Sequence, residues 1–313
     1  MTHTVLIAKG TADLDRLQRA CPDVEVIEVA DFESPPGAAR ATIAALRSGT
    51  PLGRRQLGRL PMLQHVLRAG SGTDNIDVRQ LDRRGIILHR NPDASAAAVA
   101  EWCLAAALSL ARRLPLGHNG LVQGQHLKDA CLGTPLSDLD VAIWGAGPVG
   151  RATAELLAPF VRRVSFACWP SNQYELRQLP ARVLVQRADL HVLAIPLRPE
   201  TRGQFGRDFL TAVADRRPLV LCAGRIETLD VGAFLRTLDA ERITGLALDA
   251  IDPEHTSQVN VLTGPRNLLI TPHIGAQRTD VRQELDAWLT RIIRSITVDS
   301  MPHPDSEARG ESQ

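Results

Sequence analysis

The chain has almost no net charge, almost no lysine, and no apolar run long enough to cross a bilayer. Over 313 residues, 36 basic and 35 acidic side chains leave a formal charge of +1. That balance excludes the basic footprint of a nucleic-acid or anionic-membrane partner. Lysine occurs only at Lys9 and Lys128, and the arginines are spread along the chain and not clustered. The longest apolar stretch, within residues 96–111, is broken by Glu101 and is too short to span hydrocarbon. Cys21, Cys103, Cys131, Cys168 and Cys222 show neither metal-ligand spacing nor a disulfide framework. Several lie in apolar runs, where a free thiol behaves as a small hydrophobe. No metal is expected. Met1-Thr2-His3-Thr4-Val5 runs straight into a strand pattern without the charged and apolar regions of a signal peptide, so a cytoplasmic setting is expected.

What is present is ordinary globular composition, 44% hydrophobic and 23% charged, in a chain long enough for two cores. Apolar patterning alternates between strand and helix. Strands are expected at 5–8, 24–29, 66–69 and 86–88, with helices at 11–20 and 37–47 between them. A long Ala- and Leu-rich helix follows at about 95–113; it is apolar most of the way round and should be buried between domains or in a dimer interface. A second βα series has strands near 141–144, 163–167, 190–195, 218–222, 244–248 and 268–270. The final helix, 279–297, should return to the first domain. The predicted division is 1–94 plus 277–299, then 95–276, with a polar, disordered tail at 300–313.

The chemistry begins at Gly145-Ala146-Gly147-Pro148-Val149-Gly150, which closes the apolar run Val141-Ala142-Ile143-Trp144 and opens a helical pattern. A strand, glycine turn and helix in this order suit a dinucleotide pyrophosphate. Gly145 permits the tight turn, Gly147 the close approach of backbone to phosphate, and Gly150 close helix–strand packing. Pro148 and Val149 offer no polar side chain, so binding there must use backbone. An acidic residue is expected about 20 positions on, to bind the ribose. Cys168-Trp169-Pro170-Ser171-Asn172 stands there instead, with no acid and no arginine close behind. NAD is the expected cofactor, and NADP stays open. Downstream, Arg225, Glu254 and His273 supply a cation, a carboxylate and an imidazole, the groups needed to move a hydride and a proton at a carbon–oxygen bond. His273 differs from the other histidines in following the strand Leu268-Leu269-Ile270, with Pro272 fixing its approach.

Taken with their neighbours, these segments resemble the D-isomer-specific 2-hydroxyacid dehydrogenases. The resemblance runs from about residue 40 to 295. It is carried by Arg68-Ala69-Gly70-Ser71-Gly72-Thr73-Asp74-Asn75-Ile76-Asp77, by Val99-Ala100-Glu101, by the glycine turn, and by Pro196-Leu197-Arg198-Pro199-Glu200-Thr201-Arg202-Gly203. It continues through Ala247-Leu248-Asp249 and ends with Thr271-Pro272-His273-Ile274-Gly275. The resemblance implies two α/β domains, a flavodoxin-like substrate domain and a Rossmann dinucleotide-binding domain with a parallel sheet, with the site in the cleft. It also implies Arg225 as substrate cation, His273 as proton donor and acceptor, and Glu254 as the carboxylate beside it. Pro196, Cys222, Ala223, Asp249 and Gly275 join the glycine turn and Cys168 as cofactor contacts, Asp249 at the nicotinamide carboxamide. The backbone of Gly70, Ser71 and Gly72 would bind the substrate carboxylate. A homodimer through the 95–113 helix and a small 2-oxo or 2-hydroxy acid are the implied partners. The sequence departs from the family at Ile226, where a glycine is usual, and a larger side chain there is expected to reshape the site beside the nicotinamide. The competing reading is a non-catalytic dinucleotide sensor of the same fold.

Overall fold

The computed structural model describes residues 3–167, 177–249 and 257–299. The chain forms two compact units, one from the residues up to Ala94 with those from Thr279 onward, the other from Ser95–Arg278.

In the first unit, β1 (Thr4–Ala8), β2 (Glu25–Val29), β3 (Ala41–Leu46), β4 (His65–Arg68) and β5 (Ile87–Arg90) form one parallel sheet in the order β2-β1-β3-β4-β5. That is the flavodoxin-like order. Its helices include α1 (Leu14–Ala20), α2 (Arg54–Gly58) and α3 (Val78–Arg83), and aspartates start two of them: Asp13 before α1 and Asp77 before α3 each accept a backbone N–H at 3.0 Å. A cap of this kind stabilises by about 1 kcal/mol. Phe32, Leu46, Leu52, Leu57 and Leu60 are fully enclosed in the core. The helix Thr279–Asp299 packs on α1 and buries Leu285, Trp288, Leu289 and Ile293.

One expectation is overturned here: the stretch 37–47 is not a helix but contains β3. Ala41, Ile43, Ala44, Ala45 and Leu46 are fully buried, and β3 lies between β1 and β4. Alanine favours helix intrinsically, but this run is six residues long and polar only at Thr42. A short, largely apolar segment is what a parallel strand covered on both faces requires.

The second unit holds β6 (Asp140–Trp144), β7 (Arg163–Ala167), β8 (Gln178–Leu179), β9 (Leu190–Leu193), β10 (Leu219–Cys222), β11 (Gly245–Leu248) and β12 (Leu268–Ile270). All are parallel, in the order β12-β11-β10-β9-β6-β7-β8. This is the Rossmann pattern, with the chain direction of winding reversing between β6 and β9. One face is covered by α4 (Ala96–Ala111), whose Cys103, Ala106, Ala107 and Leu110 are fully buried against the helix Pro148–Leu157 and the sheet. The small side chains let the two helices approach closely.

The other face carries an aromatic cluster. Phe205 and Phe209 meet Trp144 edge-on at centroid distances of 5.3 and 5.8 Å. Buried among them, His191 Nδ1 accepts a hydrogen bond from Trp144 Nε1 at 3.1 Å, while His191 Nε2 has no partner among the described residues. Burial keeps this imidazole neutral and lowers its pKa from 6.5 to about 3. Below pH 6.5 the unfolded chain therefore takes up a proton that the folded chain refuses. Stability falls as pH drops from 6.5 towards 3, by up to about 1.4 kcal/mol per pH unit from this group. His191→Gln keeps an acceptor for Trp144 without titrating. Urea unfolding at pH 7, 6 and 5 should show its acid slope reduced by roughly that amount per pH unit, and an unchanged slope would count against His191 as the source.

Candidate active site

The chemistry-bearing residues of the second unit sit on loops that leave the carboxyl ends of its strands. β6 ends at Trp144, and Gly145 follows at φ +106°. A side chain there would meet the carbonyl of Ala194, on the segment after β9, at 2.5 Å. The reversal of winding brings β6 and β9 side by side, so only glycine fits. At Gly147 an added Cβ would meet nothing within 4 Å, so the backbone is open to a ligand. At Gly150 it would overlap the carbonyl of Gly145, which lets the helix Pro148–Leu157 start directly against the turn. Pro148 lacks an N–H and sits at the first helical position, where that group would be unsatisfied anyway.

After β9, Pro196 opens a loop held by Thr201, 2% exposed, whose hydroxyl donates to the Pro196 carbonyl at 2.7 Å and accepts the Arg198 N–H at 2.8 Å. Thr201 was not foreseen as a positioning residue, although a threonine five residues after Pro196 is a readable side-chain turn signal. After β10, Ala223 and Gly224 both donate to the Leu193 carbonyl at 3.1 Å. This brings Arg225 out at the strand edge, its carbonyl accepting from the Thr228 hydroxyl at 2.7 Å. Burial pushes the Cys222 thiol up to about 12, so it serves as apolar surface and not as a nucleophile. Ile226 corrects an expectation. It is 1% exposed and packed in the aromatic core, so it does not reshape the site.

After β12, His273 adopts φ +58°, a left-handed conformation that few non-glycine residues take. Asp249, 3% exposed at the end of β11, holds it there. The Asp249 carboxylate accepts from the Thr271 hydroxyl at 2.7 Å and from the N–H groups of Ile274 and Gly275 at 2.9 and 2.8 Å. Its main-chain carbonyl accepts the N–H of His273. A side chain at Gly275 would meet Asp249 Oδ2 at 2.6 Å, so the turn closes only with glycine. The arrangement sets His273 Nδ1 3.5 Å from a terminal nitrogen of Arg225. A cation and an imidazole, 48 residues apart, are thus brought together on one sheet edge.

Gly70, Ser71 and Gly72 lie in the first unit, on the loop after β4, with Gly70 at φ +134°. Glu254 and Cys168 lie outside the described residues, as does the 300–313 tail. Among the described residues no cluster of His, Cys, Asp or Glu would hold a metal, and no helix is long and apolar enough to cross a membrane. A recess of about 800 Å³ between α5 (Leu114–Val122) and residues 259–270 shares no lining residue with Arg225 or His273.

Residues 104–275 match the family model for the D-isomer specific 2-hydroxyacid dehydrogenase, NAD binding domain. The chain belongs to the D-isomer-specific 2-hydroxyacid dehydrogenase family. It is 28% identical over 285 residues to D-3-phosphoglycerate dehydrogenase of Methanocaldococcus jannaschii, covering 87% of this chain and 54% of that protein. To the Homo sapiens D-3-phosphoglycerate dehydrogenase it is 27% identical over 242 residues, covering 76% and 45%. The chain therefore spans about half the length of the curated relatives it matches. Among solved structures, D-lactate dehydrogenase from Aquifex aeolicus, complexed with NAD and lactic acid, superimposes with a TM-score of 0.85 at 19% identity, over 95% of this chain and 96% of that one. An NADPH-dependent glyoxylate/hydroxypyruvate reductase from Sinorhizobium meliloti gives 0.79 at 22% identity, over 95% and 94%. These two likenesses establish the fold.

Replacing Asp249 by Asn turns an acceptor of three bonds into a group that presents an NH₂ to one of its own donors. Losing a buried charge-assisted acceptor costs about 2 kcal/mol, so thermal or urea unfolding of Asp249→Asn should show a loss near that size. A variant as stable as wild type would remove Asp249 from its place as the anchor of the His273 turn.

Proposed function

We propose that the protein is an NAD(P)-dependent 2-hydroxyacid dehydrogenase and 2-oxoacid reductase. The observation that carries this is the Arg225–His273 pair, 3.5 Å apart at the carboxyl edge of the sheet that also carries the glycine turn. The turn fits a dinucleotide: its backbone is open at Gly147 and closed against neighbouring backbone at Gly145 and Gly150. Bound nicotinamide supplies or accepts the hydride at C2. Arg225 offers paired guanidinium donors that hold the substrate carboxylate or polarise the carbonyl. His273 gives a proton to the C2 oxygen in reduction and takes it back in oxidation. Glu254 is the carboxylate expected to pair with His273, favouring its charged form. Gly145, Gly147, Val149 and Gly150 bind the pyrophosphate through backbone, with Pro148, which has no N–H, in contact beside them. Cys168 marks the ribose end, and Pro196, Cys222, Ala223, Asp249 and Gly275 complete the cofactor contacts. Three of the lone-pair positions of Asp249 are already used within the protein, which leaves room for one further donor such as the carboxamide. Gly70, Ser71 and Gly72 receive the substrate carboxylate. The division at 1–94 plus 277–299 and 95–276 then separates a substrate domain from a dinucleotide-binding one.

Oxidation of NADH and of NADPH with a panel of 2-oxoacids (glyoxylate, pyruvate, hydroxypyruvate, 2-oxoglutarate) tests this reading. General acid–base assistance is worth roughly 10²–10⁴-fold, so His273→Ala should lose at least a hundredfold in kcat. Wild-type turnover no higher than that of His273→Ala would sink the enzyme reading in favour of a non-catalytic sensor. We expect NADH to be preferred, and strong preference for NADPH would reverse that choice.

A homodimer and a reducing, cytoplasmic setting belong to the same proposal. Cys21, Cys103, Cys131 and Cys222 are free thiols, as such a setting requires. Leu108 on α4, Leu114, Leu121 and Val122 on α5, and Leu132 beyond it are exposed apolar side chains, Val122 at 73% and Leu132 at 82%. Exposed apolar side chains on two successive helices offer a surface for a protein contact. Sedimentation should show a dimer, and Leu121→Asp combined with Val122→Asp should shift it to monomer; an unchanged dimer would exclude this face.

A further inference from the structure

The loop after β4 is arranged by two arginines whose role the dehydrogenase reading does not explain. Arg68 and Arg90 are the last residues of β4 and β5 and are register partners in the parallel pair. Their side chains therefore leave the same face of the sheet next to each other. Arg68 is only 5% exposed. Its Nε donates to the Gly72 carbonyl at 2.8 Å, and a terminal nitrogen donates to the Ala69 carbonyl at 2.6 Å. Arg90, exposed, donates to the carbonyl between them in sequence, that of Ser71, at 3.2 Å. Gly70 is at φ +134°, and a side chain there would meet the Arg68 guanidinium at 2.6 Å, so glycine is required for the cation to lie under the loop.

The consequence follows from peptide geometry. In a trans peptide the carbonyl and the next N–H point in opposite directions. With the carbonyls of Ala69, Ser71 and Gly72 turned to guanidinium groups, the N–H groups of Gly70, Gly72 and Thr73 are turned away from them. Among the described residues the N–H groups of Gly70, Ser71, Gly72 and Thr73 donate to no acceptor. Successive outward N–H groups over a positive charge form an anion-binding concavity.

We propose that Arg68, assisted by Arg90, is the positioning residue that shapes residues 69–73 into a cradle for a carboxylate anion. Arg68 works from behind: it fixes the carbonyls and adds its charge beneath the N–H groups. The cradle rests on the dehydrogenase reading only for the identity of its ligand, the carboxylate of a 2-oxoacid.

Two measurements separate the cradle from that reading. Amide ¹H–¹⁵N spectra of the full chain, titrated with oxamate as an unreactive 2-oxoacid analogue, should move the resonances of Gly70, Ser71, Gly72 and Thr73. Arg68→Met retains the apolar stem and removes the donors, so those shifts should be lost at the same oxamate concentration. Steady-state kinetics with glyoxylate should show a KM raised about tenfold or more, as expected for a lost charge-assisted interaction. The change in kcat should be threefold or less, and the affinity for NADH unchanged by fluorescence titration. Arg68→Lys, with one donor head, should fall between. Arg90→Gln, at an exposed position with little folding risk, should raise KM by about twofold to fivefold, in line with an exposed charged bond. Wild-type amides that ignore oxamate, or an Arg68→Met enzyme with wild-type KM, would overturn the cradle while leaving the dehydrogenase intact. Absent turnover with intact oxamate shifts would do the reverse.

Discussion

The carboxylate of Asp249 is the constraint on which the site depends. An ionised group at 3% exposure is costly unless its oxygens are fully met. Here they accept from Thr271, Ile274 and Gly275, all on one five-residue segment. The same bonds answer a second difficulty. A turn this tight, directly after β12, leaves backbone N–H groups that β-pairing cannot use, and the aspartate takes them. The left-handed His273 costs of order 1 kcal/mol by itself. It persists because the residues on both sides of it are tied to one buried anion. Orientation of the imidazole towards Arg225 is thus a product of backbone geometry enforced from β11.

The sheet order imposes a second condition. Where winding reverses, β6 and β9 are neighbours whose following segments diverge to opposite faces. A Cβ added at Gly145 would lie 2.5 Å from the carbonyl oxygen of Ala194. So close an approach of backbone to backbone forbids a Cβ there. Fully buried strands behind these loops, such as Leu190–Leu193 and Gly245–Leu248, fix the register from which each loop departs.

How much of this was readable from sequence depends on the range of the signal. The glycine turn, Arg225 and His273 each follow an apolar strand and carry their own local mark, so they were legible. The two α/β sheets are legible from alternation, although 41–46 reads locally as helix because alanine's preference is a local quantity and burial between β1 and β4 is not. Asp249 was noticed at a strand end, but its hold on His273 was invisible. The bonds reach 22 to 26 residues along the chain and are made largely with backbone. Ile226 was misjudged for the converse reason. Its position after Arg225 suggested the site, whereas the tight turn Ile226–Thr228 rotates it into the aromatic core.

Across these loops the groups that would meet ligand are mostly main-chain N–H groups, and the side chains act on the main chain. Asp249 sets the turn at 271–275, Thr201 the loop after Pro196, and Arg68 the loop after β4. Such a division tolerates change at outward side chains such as Val149, whereas Pro148 withholds one N–H from the edge of the turn. It does not tolerate change at the glycines or at the buried residues that orient the peptides. The departure at Ile226 points into the core and leaves those peptides as they are.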